Sequence, residues 1–121
     1  MNKERLSFSI CVPVYKGSHI IKNALLSILE QKFIGDLEII VGEDTPREFS
    51  DEIMKTEKII EELNDKRIKY IKNEKNLGYA KNLQNIVSKA KMDVIFLMAQ
   101  DDILASDALM KTYNAFFMNE D

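Results

Sequence analysis

The sequence has few of the features that mark secreted, membrane-spanning or nucleic-acid-binding proteins. Cys11 is the only cysteine, which excludes an intramolecular disulfide and fits a reducing compartment. The 17 basic residues do not outnumber the 20 acidic ones, so the net charge of -3 predicts no nucleic-acid partner. The first apolar run lasts only from Ile10 to Val14, too short for a signal peptide or a membrane span. We therefore expect a cytoplasmic location, and peripheral attachment of a full-length protein to the inner membrane stays open.

Glycine-rich phosphate-binding loops are also missing. With four glycines in the chain, neither G-x-G-x-x-G nor G-x-x-x-x-G-K-[ST] occurs. Any phosphate must then be held in another way, and a divalent cation bound to carboxylates would serve. Repeats, linkers and low-complexity tracts are absent, and 121 residues with 45% apolar content can build one core. We expect a single domain over residues 1–121.

The most informative stretch is the apolar run 94–98, which is followed closely by two adjacent carboxylates. Its length and density predict a buried central strand of a parallel sheet, covered on both faces. Ligands of open α/β sheets bind outside the carboxyl ends of the strands, where Asp101 and Asp102 fall. Adjacent acids repel each other unless a cation or a hydroxyl-rich ligand faces them, and oxygen ligands suit Mg2+ or Mn2+. The pair predicts a metal-assisted site, with a solvated turn as the alternative interpretation.

Strands and helices alternate along the rest of the chain. Apolar spacing predicts strands at 7–12, 37–42, 67–72 and 94–98, and helices at 20–31, 51–64, 79–91 and after 106. This order requires parallel strands with right-handed crossovers, and the lysines of the third strand suit a sheet edge. We predict an α/β fold: a Rossmann-like parallel sheet of strand order 3-2-1-4 with helices on both faces.

The predicted strand order brings distant segments together at one crevice. The order reverses between the first and fourth strands, and ligands bind at such switch points. Pro13, Val14 and Tyr15 would line one side, residues 100–102 the other, and Glu43 with Asp44 the far wall. A plain turn at residues 43–46 and a hydrophobic lid at Tyr15 are the alternatives without a ligand.

Several segments resemble glycosyltransferase family 2, the inverting sugar-nucleotide enzymes of GT-A fold. The matching segments are Ile-Cys-Val-Pro-Val-Tyr at 10–15, Ala-Leu-Leu-Ser-Ile-Leu-Glu-Gln at 24–31, Leu-Glu-Ile-Ile-Val at 37–41, Asn-Leu-Gly-Tyr-Ala-Lys-Asn at 76–82, and the run into Asp101 and Asp102. Each segment is weak alone, but the set follows the family's order and spacing over nearly the whole chain. The resemblance implies a GT-A fold.

For the nucleotide, the resemblance implies a role for two groups of residues. Pro13, Val14 and Tyr15 would border the base and ribose, with Tyr15 stacking near the base. Asp44, together with Glu43, would hydrogen-bond the base.

For the diphosphate and the reaction, the resemblance implies three further roles. Lys81 stands where the family usually has an arginine near the nucleotide, although a solvent-facing lysine is the plainer interpretation. Asp101 would reach the ribose or the metal, and Asp102 would hold the Mn2+ or Mg2+ that bridges the donor diphosphate. The implied reaction transfers a sugar from a nucleoside-diphosphate sugar, such as a UDP-sugar, to a glycan or lipid-linked acceptor, as in polysaccharide biosynthesis.

The sequence departs from the family pattern at three places. Ala99 stands where the family commonly has an aspartate, two residues before Asp101. Residues 43–46, Glu-Asp-Thr-Pro, replace the usual Asp-Asp-Gly-Ser, which could change base selectivity. The chain also ends where the acceptor-binding half should begin, so the catalytic base is expected beyond Asp121 and the 121 residues alone should be inactive.

Two other functions share the alternating pattern. A non-catalytic α/β interaction module would use the same fold only for partner binding. A phospho-receiver domain would need acids after the first strand and an aspartate after the third, but here those strands are followed by Pro13-Val14-Tyr15 and Asn73. The strand at 94–98 could also present a bare edge, which would favour a homodimer.

Overall fold

Four strands alternate with four α-helices in the computed structural model, which describes residues 7–33 and 35–118. The elements are β1 (Phe8–Val14), α1 (Ile21–Leu29), β2 (Leu37–Glu43), α2 (Ser50–Leu63), β3 (Ile68–Lys72), α3 (Tyr79–Ser88), β4 (Val94–Leu97) and α4 (Ala108–Met118). A short 3-10 turn, Arg47–Phe49, precedes α2. Among the described helices, none is long and apolar enough to cross a membrane.

The sheet has the strand order β3-β2-β1-β4, and all neighbouring strands are parallel. Ile10 lies beside Ile39 of β2 on one side and beside Phe96 of β4 on the other. The lysine-bearing β3 is at an edge, as predicted. The predicted Rossmann-like sheet of order 3-2-1-4 is therefore confirmed.

Helices cover both faces of this sheet because successive strand residues point to opposite sides. Phe8, Ile10 and Val12 of β1 belong to a large core that also contains residues of α1, α2 and α4. Cys11 and Ile40 point the other way and pack with residues of α3 in a smaller core. Three helices thus pack on one face and a single helix packs on the other.

β4 corrects the prediction of a central strand that is covered on both faces. In the described chain β4 is the second edge of the sheet, and its burial alternates: Val94 and Phe96 pack against the large core, while Ile95 and Leu97 are 45% and 55% exposed. The physical reason is the position of α3, which lies over β1 and β2 and leaves the same side of β4 uncovered.

β1 continues past Pro13, where the sequence predicted its end. Pro13 pairs with Gly42 of β2, whereas β4 pairs with β1 only as far as Cys11. At Pro13, therefore, β1 has a strand neighbour on one side only, a position where a missing N–H is tolerated. The longer strand places Tyr15 at the carboxyl ends of the strands, where ligands are expected.

Candidate functional site

A cleft of about 450 Å3 opens at the carboxyl ends of β1, β2 and β4. It is lined by Pro13, Val14, Tyr15, Asp44, Asn76, Gly78, Tyr79, Asn82, Ala99 and Gln100. The structure thus brings the first-strand residues and Asp44 together, at the switch point where the crevice was expected.

Asp44 holds the loop that leads into α3. Its Oδ1 accepts hydrogen bonds from the Asn73 side-chain amide (3.0 Å) and the Leu77 N–H (2.7 Å). Its Oδ2 accepts from the Asn76 amide (3.1 Å) and the Gly78 N–H (2.9 Å). A carboxylate offers about four acceptor positions, so these donors occupy Asp44 fully. Its predicted contact with a base would require one of them to give way.

A second amide, that of Asn82, fixes α3 on the end of β2. Its Nδ2 donates to the Gly42 carbonyl (3.0 Å), and its Oδ1 accepts from the Asn73 amide (2.9 Å). Gly42 permits this close approach, because a Cβ there would lie 2.6 Å from Asn82 Oδ1 and 2.5 Å from Ile86 Cγ2. The floor of the cleft is therefore a buried asparagine network.

Gln100 joins the two walls of the cleft. Its Oε1 accepts from the Tyr15 N–H and its Nε2 donates to the Tyr15 carbonyl, both at 3.0 Å. Gly17 leaves space for this amide, since a Cβ at that position would lie 2.3 Å from Gln100 Oε1. Tyr15 is consequently held by its backbone, while the residue as a whole is 48% exposed.

The carboxylate of Glu43 lies outside the residues that line the cleft. It is 2% exposed and accepts hydrogen bonds from the hydroxyls of Thr45 (2.7 Å) and Tyr70 (2.8 Å). Burial raises the pKa of Glu43, and burial beside this carboxylate also raises the pKa of Tyr70. Thr45 in turn accepts the Lys16 N–H (2.8 Å), so Glu43 supports the β1–α1 loop from beneath.

The acid pair after β4 lies beside the cleft rather than in its lining. Asp102 Oδ2 accepts the Ala99 N–H (3.1 Å), and the Asp102 N–H donates to the Ala99 carbonyl (3.1 Å), which closes a turn. Asp101 is exposed and has no ion-pair or hydrogen-bond partner within the described residues. No lysine or arginine of the described chain occupies either carboxylate.

The acid pair can supply only part of a metal site. Among the described residues, no group of three or more His, Cys, Asp or Glu side chains could hold a metal ion. Mg2+, however, is commonly bound by one or two carboxylates together with substrate phosphates and water. Two accessible carboxylates on a turn beside a ligand cleft fit that mode of binding.

Lys81 also lies outside the lining of the cleft. It is exposed on the first turns of α3, and no partner for its side chain occurs among the described residues. Gly78, Tyr79 and Asn82 from the same segment line the cleft instead. The predicted nucleotide contact of Lys81 stays a prediction.

Sequence reasoning missed the amide side chains that build the cleft floor and the second tyrosine at its rim. Asn76, Tyr79 and Asn82 lie in a segment quoted above as a family match, and Asn73 directly follows β3. Asn73 carried a usable signal, because a polar residue at the carboxyl end of a strand can face a ligand whether or not it is charged. The other three were marked only by the family resemblance of their segment.

The chemistry of the lining favours a flat, weakly polar group over a phosphate. Among the described lining residues, the only charged side chain is Asp44, and none is basic. Tyr15 and Tyr79 are 48% and 71% exposed, and Pro13 and Ala99 add apolar surface. Aromatic faces stack on planar rings, whereas an anionic group inside the cleft would find no cation among these residues.

A parallel sheet with a cleft at its strand-order switch is typical of open α/β domains that bind a ligand at this point. Residues 9–121 match the sequence profile of Glycosyl transferase family 2, and the chain belongs to this family. The resemblance inferred from the five segments is thereby confirmed. No curated protein matches the chain at a significant level.

Solved structures share the GT-A fold. TarS 1-349 of S. aureus in complex with UDP is 24% identical with a TM-score of 0.76, and the match covers 94% of this chain and 32% of TarS. The complex of TarS 1-349 with UDP-GlcNAc is 23% identical with a TM-score of 0.73, and the match covers 94% of this chain and 32% of TarS. The mannosyltransferase PcManGT from Pyrobaculum calidifontis, in complex with GDP-Man and Mn2+, is 20% identical with a TM-score of 0.73. That match covers 93% of this chain and 32% of PcManGT. The chain thus spans about a third of the length of these structures.

Proposed function

We propose that this glycosyltransferase chain is the donor-binding part of a metal-dependent, inverting enzyme that uses a nucleoside-diphosphate sugar. One observation carries the proposal: an aromatic-rimmed cleft without basic side chains lies next to two accessible carboxylates. Such a pair of neighbouring surfaces suits a ligand with a flat ring at one end and a diphosphate at the other.

The base and ribose fit the cleft. Tyr15 and Tyr79 supply exposed aromatic faces, and stacking on such faces contributes about 1–3 kcal/mol per base. Pro13 and Val14 would border the ribose, as the family resemblance implies. The buried amides beneath them give the cleft a fixed shape, which limits the ordering cost of binding.

The diphosphate fits the turn at residues 99–102. Asp101 and Asp102 would hold Mn2+ or Mg2+ with their carboxylates, and the phosphates would complete the coordination. A bound cation would neutralise the nucleoside-diphosphate leaving group as a Lewis acid. No basic side chain lies in the described cleft lining, so we propose that the bound cation supplies the positive charge that the phosphates require.

The solved neighbours supply the ligands to test first. TarS is seen with UDP and with UDP-GlcNAc, and PcManGT with GDP-Man and Mn2+. Since the chain spans about a third of their length, we propose that the catalytic base and the binding site for a glycan or lipid-linked acceptor lie in other parts of a longer protein. This chain alone should bind the donor weakly and transfer no sugar.

Calorimetry of the full-length protein with UDP or GDP, with and without Mn2+, tests the proposal. We expect binding that requires the metal and that Asp102→Asn weakens about tenfold or more, since even outer-shell changes at metal sites commonly have that effect. Asparagine keeps an oxygen for the Ala99 N–H, so the variant removes charge rather than the turn. Asp51→Asn, an exposed acid on α2, is the matched control.

Two results would contradict the proposal in different ways. No metal-dependent binding of either nucleotide would remove the donor-binding role. Binding of a protein partner that Asp102→Asn leaves unchanged, in a protein that binds no nucleotide, would favour the non-catalytic interaction module.

A further inference from the structure

We propose that Gln100 is a positioning residue for the base: its side-chain amide fixes the backbone of Tyr15 and thereby sets the ring as a wall of the cleft. The inference rests on the proposed function for its ligand, but its structural basis is independent of any ligand. It concerns a residue that neither the acid pair nor the resemblance singled out.

The amide of Gln100 acts in place of a strand. The β1–β4 ladder ends with Leu97 beside Cys11, and its last bond joins the Met98 N–H to the Cys11 carbonyl (3.0 Å). Beyond that point Tyr15 exchanges both of its backbone hydrogen bonds with Gln100. A carboxamide can do this because it carries the same donor and acceptor as a peptide group.

The two hydrogen bonds with Gln100 restrain the backbone next to a strained residue. Lys16, the next residue, has a φ of 48°, and a non-glycine residue in this region costs about 1–2 kcal/mol. The Lys16 N–H is held by Thr45 (2.8 Å), and the Lys16 ammonium lies 5.4 Å from the Tyr15 ring centroid. Gln100 on one side and Thr45 on the other therefore fix the chain around the tyrosine.

Few side chains could replace this amide. Glutamate keeps an acceptor for the Tyr15 N–H but lacks the donor for the Tyr15 carbonyl, and alanine loses both bonds. The space is also reserved, because a Cβ on Gly17 would lie 2.3 Å from Gln100 Oε1 and 2.9 Å from Gln100 Cδ. Gly17→Ala should thus displace the Gln100 amide without changing Gln100 itself.

The consequence for binding is preorganisation. A ring that is held in place before the ligand arrives needs no further ordering on binding, so more of the stacking energy appears as affinity. Loss of the Gln100 bonds should weaken the binding of a nucleotide only as far as Tyr15 contributes to that binding.

A double-mutant cycle in the full-length protein, with UDP or GDP and Mn2+ as the probe, tests this coupling. Gln100→Ala should weaken binding about tenfold in the wild-type background, a change typical of directly coupled residues. In the Tyr15→Ala background, which keeps the backbone groups but lacks the ring, the same change should have little effect. Gly17→Ala and Gln100→Glu should weaken binding as well, and Gln84→Ala, an exposed glutamine on α3, should not.

Hydrogen exchange of the Tyr15 amide in the ligand-free protein separates this inference from the proposed function. We expect about tenfold faster exchange or more in Gln100→Ala and Gly17→Ala, because local opening governs exchange, and no change in Gln84→Ala. Unchanged exchange, or additive effects in the binding cycle, would overturn the inference. Faster exchange in a protein that binds no nucleotide would leave the restraint established and overturn its role in base binding together with the proposed function.

Discussion

Two buried glutamates at opposite ends of β2 differ in acid strength because their partners differ. Burial alone would raise the pKa of Glu38, but hydrogen bonds from Lys69 (2.5 Å), Ser9 (2.5 Å) and the Lys91 N–H (2.7 Å) outweigh it and hold the pKa below its usual range. Among the described residues, Glu43 is hydrogen-bonded by Thr45 and Tyr70 and by no lysine or arginine, so burial dominates and raises its pKa. The presence or absence of a charged partner therefore decides whether the pKa of the buried glutamate is lowered or raised.

The raised pKa of Glu43 predicts a stability that declines with pH. Between the ordinary glutamate pKa and the raised value, the folded state keeps a proton that the unfolded state has lost, so the free energy of unfolding falls as pH rises through this window. Glu43→Gln should lack this decline. Urea unfolding at a series of pH values measures the difference, with Glu62→Gln, an exposed change on α2, as control. Parallel pH profiles for wild type and Glu43→Gln would contradict the assignment.

Residue positions in the site were predictable where strand geometry fixes them and not where side-chain direction decides. Pro13, Val14 and Tyr15 lie at the carboxyl end of the central strand β1, so topology alone brings them to the cleft. Glu43 and Asp44 are neighbours in sequence, but one carboxylate points beneath the β1–α1 loop and the other toward the cleft. Successive residues at a strand end diverge in this way, and the sequence does not say which one faces the ligand.

At the scale of elements, the placement of α3 on β2 depends on the missing side chain of Gly42. A Cβ there would lie 2.5 Å from Ile86 and 2.6 Å from Asn82, closer than real contacts allow. Gly42→Ala should push the helix outward, weaken the Asn82 bond to the Gly42 carbonyl, and cost about 1–3 kcal/mol of stability, as overpacking commonly does.

The measurement for Gly42→Ala is urea unfolding, with Gly42→Ser as a graded companion that should cost more. Because Asn82 also lines the cleft, nucleotide binding should weaken together with stability. A Gly42→Ala protein as stable as the wild type would show that α3 adapts without strain.

Element order and strand order followed from apolar spacing, because periodicity reports which residues face a core. The burial of β4 did not follow, since a run of apolar residues does not reveal whether a helix lies over it. Ile95 and Leu97 are as apolar as Val94 and Phe96, yet only the latter two meet the large core. Coverage depends on where α3 crosses the sheet, which is a property of the assembled fold.

At the scale of the whole molecule, the two edge strands of the described sheet differ, because only one of them is protected against pairing with another strand. β3 closes its edge with lysines, a common protection against strand pairing. β4 instead presents Ile95 and Leu97 on the side that α3 leaves uncovered, and in the described chain no strand pairs with its outer edge. An apolar, unpaired edge of this kind is a template for another strand.

We therefore expect the 121-residue chain to self-associate through β4, which keeps the homodimer as a prediction. Light scattering over a concentration series should show a mass that rises toward a dimer, and Ile95→Lys or Leu97→Lys should suppress the rise. Met54→Lys, at a 64% exposed position on α2 outside the sheet, is the matched control and should leave association unchanged. A strict monomer at high concentration would contradict the prediction. If the chain dimerises and a longer protein containing it does not, further strands of that protein occupy the edge, as expected for a chain that spans about a third of its structural neighbours.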